Sequence, residues 1–521
     1  MPIVQQGAVN TTALIVPDLY VQIVAPQNLV LNGVPTNLIG LVGTACWGPI
    51  GQPVVIGSMS DYARNFGSLQ ARKYDMGTAV AVAVQQGASA FRCVRVTDGT
   101  DQAASVTYTP SGLTASLVAT ARYTGSFGNS LTVALQVGTQ AGSYRMVVSA
   151  PGIFPEVFDN ITGSGASLWA AFAAAVNNGQ GVMRGASQLV TLVAPGGAAV
   201  FSPGLNLTLS GGTDGASGVT AANLVGQDTL PRKGMYALRG QGCAIGILAD
   251  ADDSTQWVTQ AGFGLSEGLY MILTGPAGDT ISNAISAKAS AGLDSYAAKL
   301  MFGDWVWWQD QVNGVTRLVS PQGFVAGRLS NLSPEQSSLN KQLYGVVGTQ
   351  KSTVPGSAQM ASYSAADLSS LLGAGIDVIA NPQPGGSYWG VRGGYNSSSN
   401  AAINGDNYTR LTNFLAATLN AGMGGYVGQV VNANLFQNIR ATVLSFLQNL
   451  VGRQILGSVG SGSPFSVVCD LSNNPTSRTS LGYVQCDVQV QYQAINEKFI
   501  VNLEGGQTVS IQRQTLPSGV V

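Results

Sequence analysis

Histidine is absent from all 521 residues. That absence excludes Ser-His-Asp and Cys-His catalysis and every metal site that needs an imidazole. Charge is scarce as well: 9% of residues are Asp, Glu, Lys or Arg, against roughly 25% in an ordinary soluble domain. The 24 basic and 25 acidic side chains leave a net charge of −1, so no global field draws in nucleic acid or an anionic membrane. No apolar run reaches the roughly 20 residues that a membrane-spanning helix needs; the densest, such as FGDWVWW at 302–308, are short. MPIVQQGAVNTT shows no basic segment leading into an apolar one, the pattern of a secretory signal. These two absences predict a soluble chain made in a cytoplasm. None of the five cysteines (Cys46, Cys93, Cys243, Cys469, Cys486) falls in a CxxC pair, so zinc and redox motifs are unsupported. Each sits in an apolar run, as in FRCVRV and FSVVCD, and reads as a buried free thiol. The odd count leaves open an intermolecular disulfide in an oxidising medium.

What is present is a long, apolar, glycine-rich chain. Hydrophobic residues make up 45% and glycine numbers 67. A chain of this length predicts two to four domains. A large, weakly charged surface does not favour a dispersed monomer; it suits a chain whose surface is consumed by copies of itself. Residues 1–36 read as an arm in which Leu19, Val21 and Ile23 alternate with Tyr20, Gln22 and Val24 between Pro17 and Pro26, a strand of about seven residues. In 37–100, LIGLVGTACWGPIGQPVVIGS reads as strand, turn, strand. SDYARNFGS follows as a helix capped by Ser60 or Asp61 and stopped by Gly67, and then comes a helix up to Gly87, whose β-branched run also fits a strand, and a strand over Phe91–Val96. Residues 101–225 turn rich in Thr, Ser, Gly and Val, with one helix candidate at SLWAAFAAAVNNG. They read as a β-rich insertion closed by the turn cluster LSGGTDG. Residues 226–365 carry short apolar runs (CAIGILAD, GLYMILTG, AAKLMFGDWVWW) between helix-length segments, the rhythm of βα units and a mainly parallel sheet; GIDVIANP continues the series.

In 366–506, Phe436, Ile439, Val443, Phe446, Leu447 and Leu450 fall at helical spacing and predict an amphipathic helix. Strands are expected over 482–493, where Val484, Cys486, Val488, Val490 and Tyr492 alternate with polar residues. They are also expected in KFIVNLEGGQTVSIQ, with Gly505-Gly506 as a hairpin turn. Residues 507–521 read as a second arm. The fold class is therefore α/β and β multidomain.

Several patterns imitate chemistry. Gly264-Leu-Ser266-Glu-Gly268 matches a nucleophile elbow, but the predicted strand follows it and no histidine exists. Ser338-Leu-Asn-Lys341 matches SxxK without its companion motifs. GVVGTQKST at 345–353 fails the phosphate-loop register, since Gln350 stands where glycine is required. Asp250, Asp252 and Asp253 cluster after a strand, as a cation site or, better, a helix-capping turn. Trp305, Trp307 and Trp308 read as core or subunit-interface packing ahead of a binding platform. No catalytic residue, cofactor or metal is expected.

The order of signals over most of the chain resembles the tail sheath proteins of contractile-tailed bacteriophages. PDLYVQIV is similar to that family's PGVYV segment, with Asp18-Leu19 in place of Gly-Val. LVGTACWGPIGQPVVIGSMSDYARNFG (41–67) is similar to its "VG.A..GP.n.P..I.s..df...FG" block, FRCVRV to its "yvvRV" strand and LSGGTDG to the exit of its inserted domain. LDSYAAKLMFGDWVWWQDQVNG and SPQGFVAG resemble its central block; SYWGVRGG, NYTRLTNFLAATL and LVGRQILG resemble its C-terminal block. WGVRGG stands for the usual "WGaRT", and Thr409-Arg410 for a common arginine pair.

The resemblance implies a core α+β domain built from N- and C-terminal segments, with an inserted β-rich domain and an α/β domain of subtilisin-like, non-catalytic fold. It implies a non-enzymatic virion protein, assembled in the host bacterial cytoplasm. Copies would stack as hexameric rings around a tail tube, contact baseplate and tail terminator proteins, and contract to drive the tube through the host envelope. It further implies that terminal arms add strands to a neighbour's sheet. Those strands would use Leu19, Tyr20, Val21, Gln22, Ile23 and Val24 at one end and Phe499, Val501, Leu503, Val509 and Ile511 at the other, with Val484, Cys486, Val488 and Val490 in the receiving sheet. Other readings are the sheath of a related contractile injection system and an α/β hydrolase-like or nucleotide-binding enzyme. The missing histidine and the failed phosphate loop count against the enzyme.

Overall fold

The computed structural model describes residues 31–110, 114–182, 184–351, 362–458, 460, 462–503 and 505, and the backbone of 5–6 and 22–23. At its centre lies a seven-stranded sheet in the order Ile376–Asp377, Ala298–Met301, Tyr270–Thr274, Ile245–Leu248, Ile39–Gly43, Phe91–Arg95, Pro53–Ile56. Neighbours run parallel throughout except Pro53–Ile56, an antiparallel edge. Buried parallel strands need apolar residues on both faces, and these have them. Ile39, Leu41, Ile245, Ile247, Tyr270 and Ile272 face the helices Met59–Phe66, Met76–Gln85 and Gln322–Ser330. Val42, Leu248, Met271 and Leu273 face Trp257–Glu267, Ile281–Ala291 and Ala365–Gly373.

Some expectations change here. Residues 37–100 and 226–365, expected as separate domains, share one sheet: Ile39–Gly43 and Ile245–Leu248 are hydrogen-bonded neighbours. Period-two alternation marks a strand's faces but not its edge partner, so pairing between strands so distant in the chain leaves no local sign. The two strands at 39–43 and 53–56 are not partners; both pair with Phe91–Arg95, which lies between them. The cap of Met59–Phe66 is Ser58, whose hydroxyl accepts from Asp61 N at 3.2 Å, and neither Ser60 nor Asp61 takes that place. Gly67 closes the helix at φ +77°, donating to Ala63 O.

The insertion holds two antiparallel sheets, Ile153–Ile161/Tyr144–Ala150/Thr132–Val137/Asn206–Thr208 and Val190–Val193/Leu117–Ala121/Ser105–Tyr108. The helix Gly165–Asn178 buries Leu168, Trp169, Phe172 and Val176 against them. Its stalk is narrow: Gln102 and Thr213 exchange backbone hydrogen bonds at 3.1 Å. The exit therefore precedes the expected boundary at 225. Val219, Ala221, Leu224 and Val225 already belong to the core of the central sheet.

The C-terminal unit packs the helices Asp406–Met423 and Ala433–Gly452 against the hairpin of Phe465–Val468 and Asp487–Val490. The six apolar residues predicted at helical spacing are all buried along Ala433–Gly452. Fully burying a Leu or Phe contributes roughly 1.5–3 kcal/mol, so this face dominates the unit. Leu31 enters the same cluster from the N-terminal side, and Val34 N donates to Thr418 Oγ1 at 3.2 Å. Among the described residues no helix is long and apolar enough to cross a membrane.

Candidate assembly interface

The C-terminal unit is fastened to the central sheet by a buried ionic node. Lys299, on the strand Ala298–Met301, places Nζ 2.6 Å from Asp377 Oδ2 and 3.1 Å from Asp406 Oδ1, with all three side chains fully buried. Asp406 begins the helix Asp406–Met423 and also accepts from Tyr270 OH at 2.5 Å and from Ser338 Oγ and N. Asp377 accepts from the backbone N–H groups of Gly393 (2.8 Å) and Gly394 (2.7 Å) in the WGVRGG segment. Burial alone would raise the Asp406 carboxyl, but the Lys299 charge and its hydrogen bonds hold it below the usual carboxylate range. Burial would likewise lower the Lys299 ammonium, and the two carboxylates hold it above its ordinary value. An ion pair of this kind is dear to break, because removing one partner strands a buried charge. Nearby Arg410 donates to Ser333 O (3.0 Å) and Leu332 O (2.7 Å), and Thr409 to Tyr296 O at 2.6 Å.

Beyond this joint the surface is open. The hairpin Phe465–Val468/Asp487–Val490 is a two-stranded sheet with no further strand on either edge among the described residues. Val484, Cys486, Val488, Val490 and Tyr492 are half-buried toward the helices while Asp487, Gln489 and Gln491 face outward, although the assigned strand is only Asp487–Val490. After it, Asn407 Nδ2 holds Gln493 O (3.1 Å) and Tyr395 OH holds Glu497 Oε2 (2.6 Å). The described residues after Glu497 are exposed. Residues 499–503, expected as a strand, form none: Phe499, Ile500, Val501 and Leu503 are 82, 80, 68 and 91% exposed. An extended segment becomes a strand only beside another, and among the described residues this one has no strand partner. The segment borders a groove of about 1570 Å³ whose lining includes Glu335, Lys341, Arg392, Arg453, Gln493 and Phe499.

At the other end, Gln22–Ile23 pairs in parallel with Gln5–Gln6. Leu19, Tyr20, Val21, Val24, Val509 and Ile511 lie outside the described residues, as does half of the Gly505-Gly506 turn.

The imitations of chemistry resolve into packing. Ser266 closes the helix Trp257–Glu267, donating to Phe263 O, and the strand comes after it. Ser338 is engaged by Asp406. Val346–Thr349 is a strand paired antiparallel with Val306–Asp310, so the glycine-rich run is not a loop entering a helix. Asp250 is turned inward to Tyr74 N, Asp252 pairs with Lys73 at 2.8 Å, and Asp253 accepts from Thr255 N. Trp305 and Trp308 are buried, donating to Gly275 O and Gln85 Oε1. Sequence reasoning missed the ionic node: Lys299 sits inside an apolar strand, and a lone lysine in such a run was the available signal.

No family model and no curated protein matches the sequence. Solved structures do. The sheath tail protein of Desulfitobacterium hafniense superposes with a TM-score of 0.56 at 14% identity, covering 87% of this chain and 93% of that one. The sheath tail protein of Listeria innocua gives 0.59 at 14%, covering 85% and 90%. The fold is that of the contractile tail sheath proteins. The sheath of an extracellular contractile injection system, PVC, in its contracted state gives 0.55 at 12% identity and covers 94% of this chain and 98% of that one. The sheath likeness therefore spans the insertion and the C-terminal unit as well as the central sheet. These neighbours are structural proteins.

Proposed function

We propose that this chain is the structural subunit of a contractile sheath, built from stacked hexameric rings around an inner tube and shortened to drive that tube through a bacterial envelope. One observation carries the reading: a sheath-fold subunit shows four exposed apolar residues at 499–503 and a two-stranded sheet whose edges are unpaired among the described residues. Strand addition joins such parts without any new site. The tail supplies the missing ladder to a neighbour's sheet, and backbone hydrogen bonds hold subunits while side chains set the register. The arm around Leu19–Val24 serves the same purpose at the other end. Tethers of this kind persist while the rigid bodies rotate past one another. Baseplate and terminator proteins cap such a lattice, and no nucleotide, metal or active site takes part.

The test is electron microscopy of the concentrated full-length protein and of a chain ending at residue 494. Striated tubes are expected from the full chain. The shortened chain should keep its circular dichroism spectrum and cooperative unfolding yet remain dispersed. Each lost ladder bond removes roughly 1 kcal/mol, multiplied along the lattice. Dispersed full-length particles, or normal tubes from the shortened chain, would overturn the proposal.

A further inference from the structure

Cys469 and Cys486 stand where the C-terminal hairpin would place its next rung. The register pairs Phe465 with Val490 and Val468 with Asp487, so one more step sets 469 opposite 486. The character of that rung follows from the other end of the ladder. Gln491 N donates to Pro464 O at 2.7 Å, which makes 464/491 a hydrogen-bonded pair. Hydrogen-bonded and non-hydrogen-bonded pairs alternate in an antiparallel ladder, so 465/490, 467/488 and 469/486 are of the non-hydrogen-bonded kind. Such pairs hold their Cα atoms roughly 4.5 Å apart, within the roughly 4.4–6.8 Å that a disulfide spans.

The side chains share a face. Cys469 is buried in a cluster with Leu435, Phe436 and Ile439, and Cys486 packs against that cluster. The turn between them is already tied. Asn474 and Gln485 exchange bonds (Asn474 Nδ2 to Gln485 O at 2.9 Å, Gln485 N to Asn474 Oδ1 at 2.6 Å). Asn473 Nδ2 reaches Val468 O at 2.8 Å and Asp487 Oδ2 at 2.9 Å. The backbone therefore holds the two cysteines at bridging distance before any bond forms.

We propose that Cys469 and Cys486 form a dithiol that a small-molecule disulfide converts to a cross-strand disulfide, pinning the open C-terminal sheet. Cys486 is the half-exposed member and lines a groove of about 570 Å³ beside Val431, Tyr483 and Val484; Cys469 is buried. The Cys486 thiolate attacks one sulfur of the reagent RSSR, its S–S bond breaks, and RS⁻ leaves and is protonated. The Cys469 thiolate then attacks the Cys486 sulfur of the mixed disulfide and expels the second RS⁻. Two protein thiols are oxidised, RSSR is reduced to two RSH, and the two thiol protons end on those products. Burial raises both thiols, Cys486 to about 12. Asp487 acts in the same direction on both and Asp470 on Cys469, while Arg440 on the helix packed across the sheet opposes them at Cys469. The thiolate is scarce at neutral pH, so the bond closes slowly there and faster as pH rises.

The experiment incubates the reduced full-length protein with hydroxyethyl disulfide in mildly alkaline buffer, followed by non-reducing digestion and mass spectrometry. The expected product is a linked pair of peptides carrying Cys469 and Cys486, lighter by two hydrogens than their sum and separated again by dithiothreitol. Thermal unfolding of the oxidised protein should shift upward by a few degrees. Cys469→Ser should stall at a hydroxyethyl adduct on Cys486, and Cys486→Ser should give neither product. A stable adduct on Cys486 of the wild-type chain, disulfide-linked dimers in place of the internal bond, or no reaction at either cysteine would overturn the proposal. None of these outcomes bears on whether the chain polymerises, so the sheath reading stands or falls separately.

Discussion

At the scale of a residue, the low charge content means that each buried ionisable group is a deliberate cost, and two of them behave oppositely. Asp406 is compensated by Lys299 and stays ionised. Asp75 has no such partner. It caps the helix Met76–Gln85, and its Oδ2 accepts from Thr78 N (2.8 Å), Thr78 Oγ1 (2.7 Å) and Gln70 N (3.1 Å), while Oδ1 meets no donor. Burial pushes this carboxyl up to about 6, against the pull of those hydrogen bonds. A folded pKa above the unfolded value means that the folded state binds more protons between about pH 4 and 6, so stability from this group falls as pH rises through that window. The rise of about two units corresponds to roughly 3 kcal/mol. Asp75→Asn keeps an acceptor at the cap and removes the ionisation. Relative to wild type, the variant should gain roughly 2–3 kcal/mol between about pH 4 and pH 7, read from urea midpoints at the two values. A stability difference that does not change with pH would disprove the assignment.

At the scale of an element, two helices far apart in the chain approach each other closely in the central domain. Gly323 and Gly327 lie one turn apart on Gln322–Ser330 and face Ala79 and Ala83 on Met76–Gln85. A Cβ on Gly327 would stand 2.6 Å from the Ala83 backbone, which cannot yield as a side-chain end can. Gly327→Ala should therefore destabilise by roughly 1–3 kcal/mol through overpacking, despite alanine's better helix propensity. The urea midpoint checks it, and an unchanged or raised midpoint would refute the close approach. This packing was not legible in the sequence, where nothing in SPQGFVAG names the helix it meets. What was legible was periodic: Phe436 to Leu450 on one helix face, and the alternation from Val484 to Tyr492. What was not legible was partnership. The neighbour of Ile39–Gly43 is Ile245–Leu248, and nothing within either run specifies the other. The tail shows the same gap from the opposite side: KFIVN has strand composition, but strand composition does not supply a strand to pair with, and residues 499–503 are unpaired among the described residues.

At the scale of the whole molecule, three bodies are held by few joints, and the joint of the insertion is the one that can be cut cleanly. The insertion's core is its own, except that Trp47 from the central domain enters it, meeting Tyr123 edge-on at 5.4 Å and Phe127 at 5.5 Å. Arg95, buried at the end of its strand, donates to Gly48 O (2.9 Å), to Thr124 O (2.7 Å) inside the insertion, and to Asp214 O (3.2 Å) at the stalk. The paired backbone of Gln102 and Thr213 fixes where the chain can be rejoined, because residues opposite each other in a ladder need only a two-residue turn between them. Replacing 103–212 by two glycines should leave a central domain that folds cooperatively. It should lose roughly 3 kcal/mol or less, chiefly through exposing Trp47. An exposed Trp47 should make the shortened chain self-associate, and Trp47→Gln should remove that association. Cutting instead over 101–225 takes away Val219, Leu224 and Val225 from the central core, and at roughly 1.5–3 kcal/mol for each large apolar side chain that loss consumes most of an ordinary domain's stability. The two deletions, compared by circular dichroism and urea unfolding, should therefore differ sharply: a folded chain from the first cut and an unfolded or aggregated one from the second. Equal behaviour would show that the insertion and the central sheet are not separable at Gln102 and Thr213.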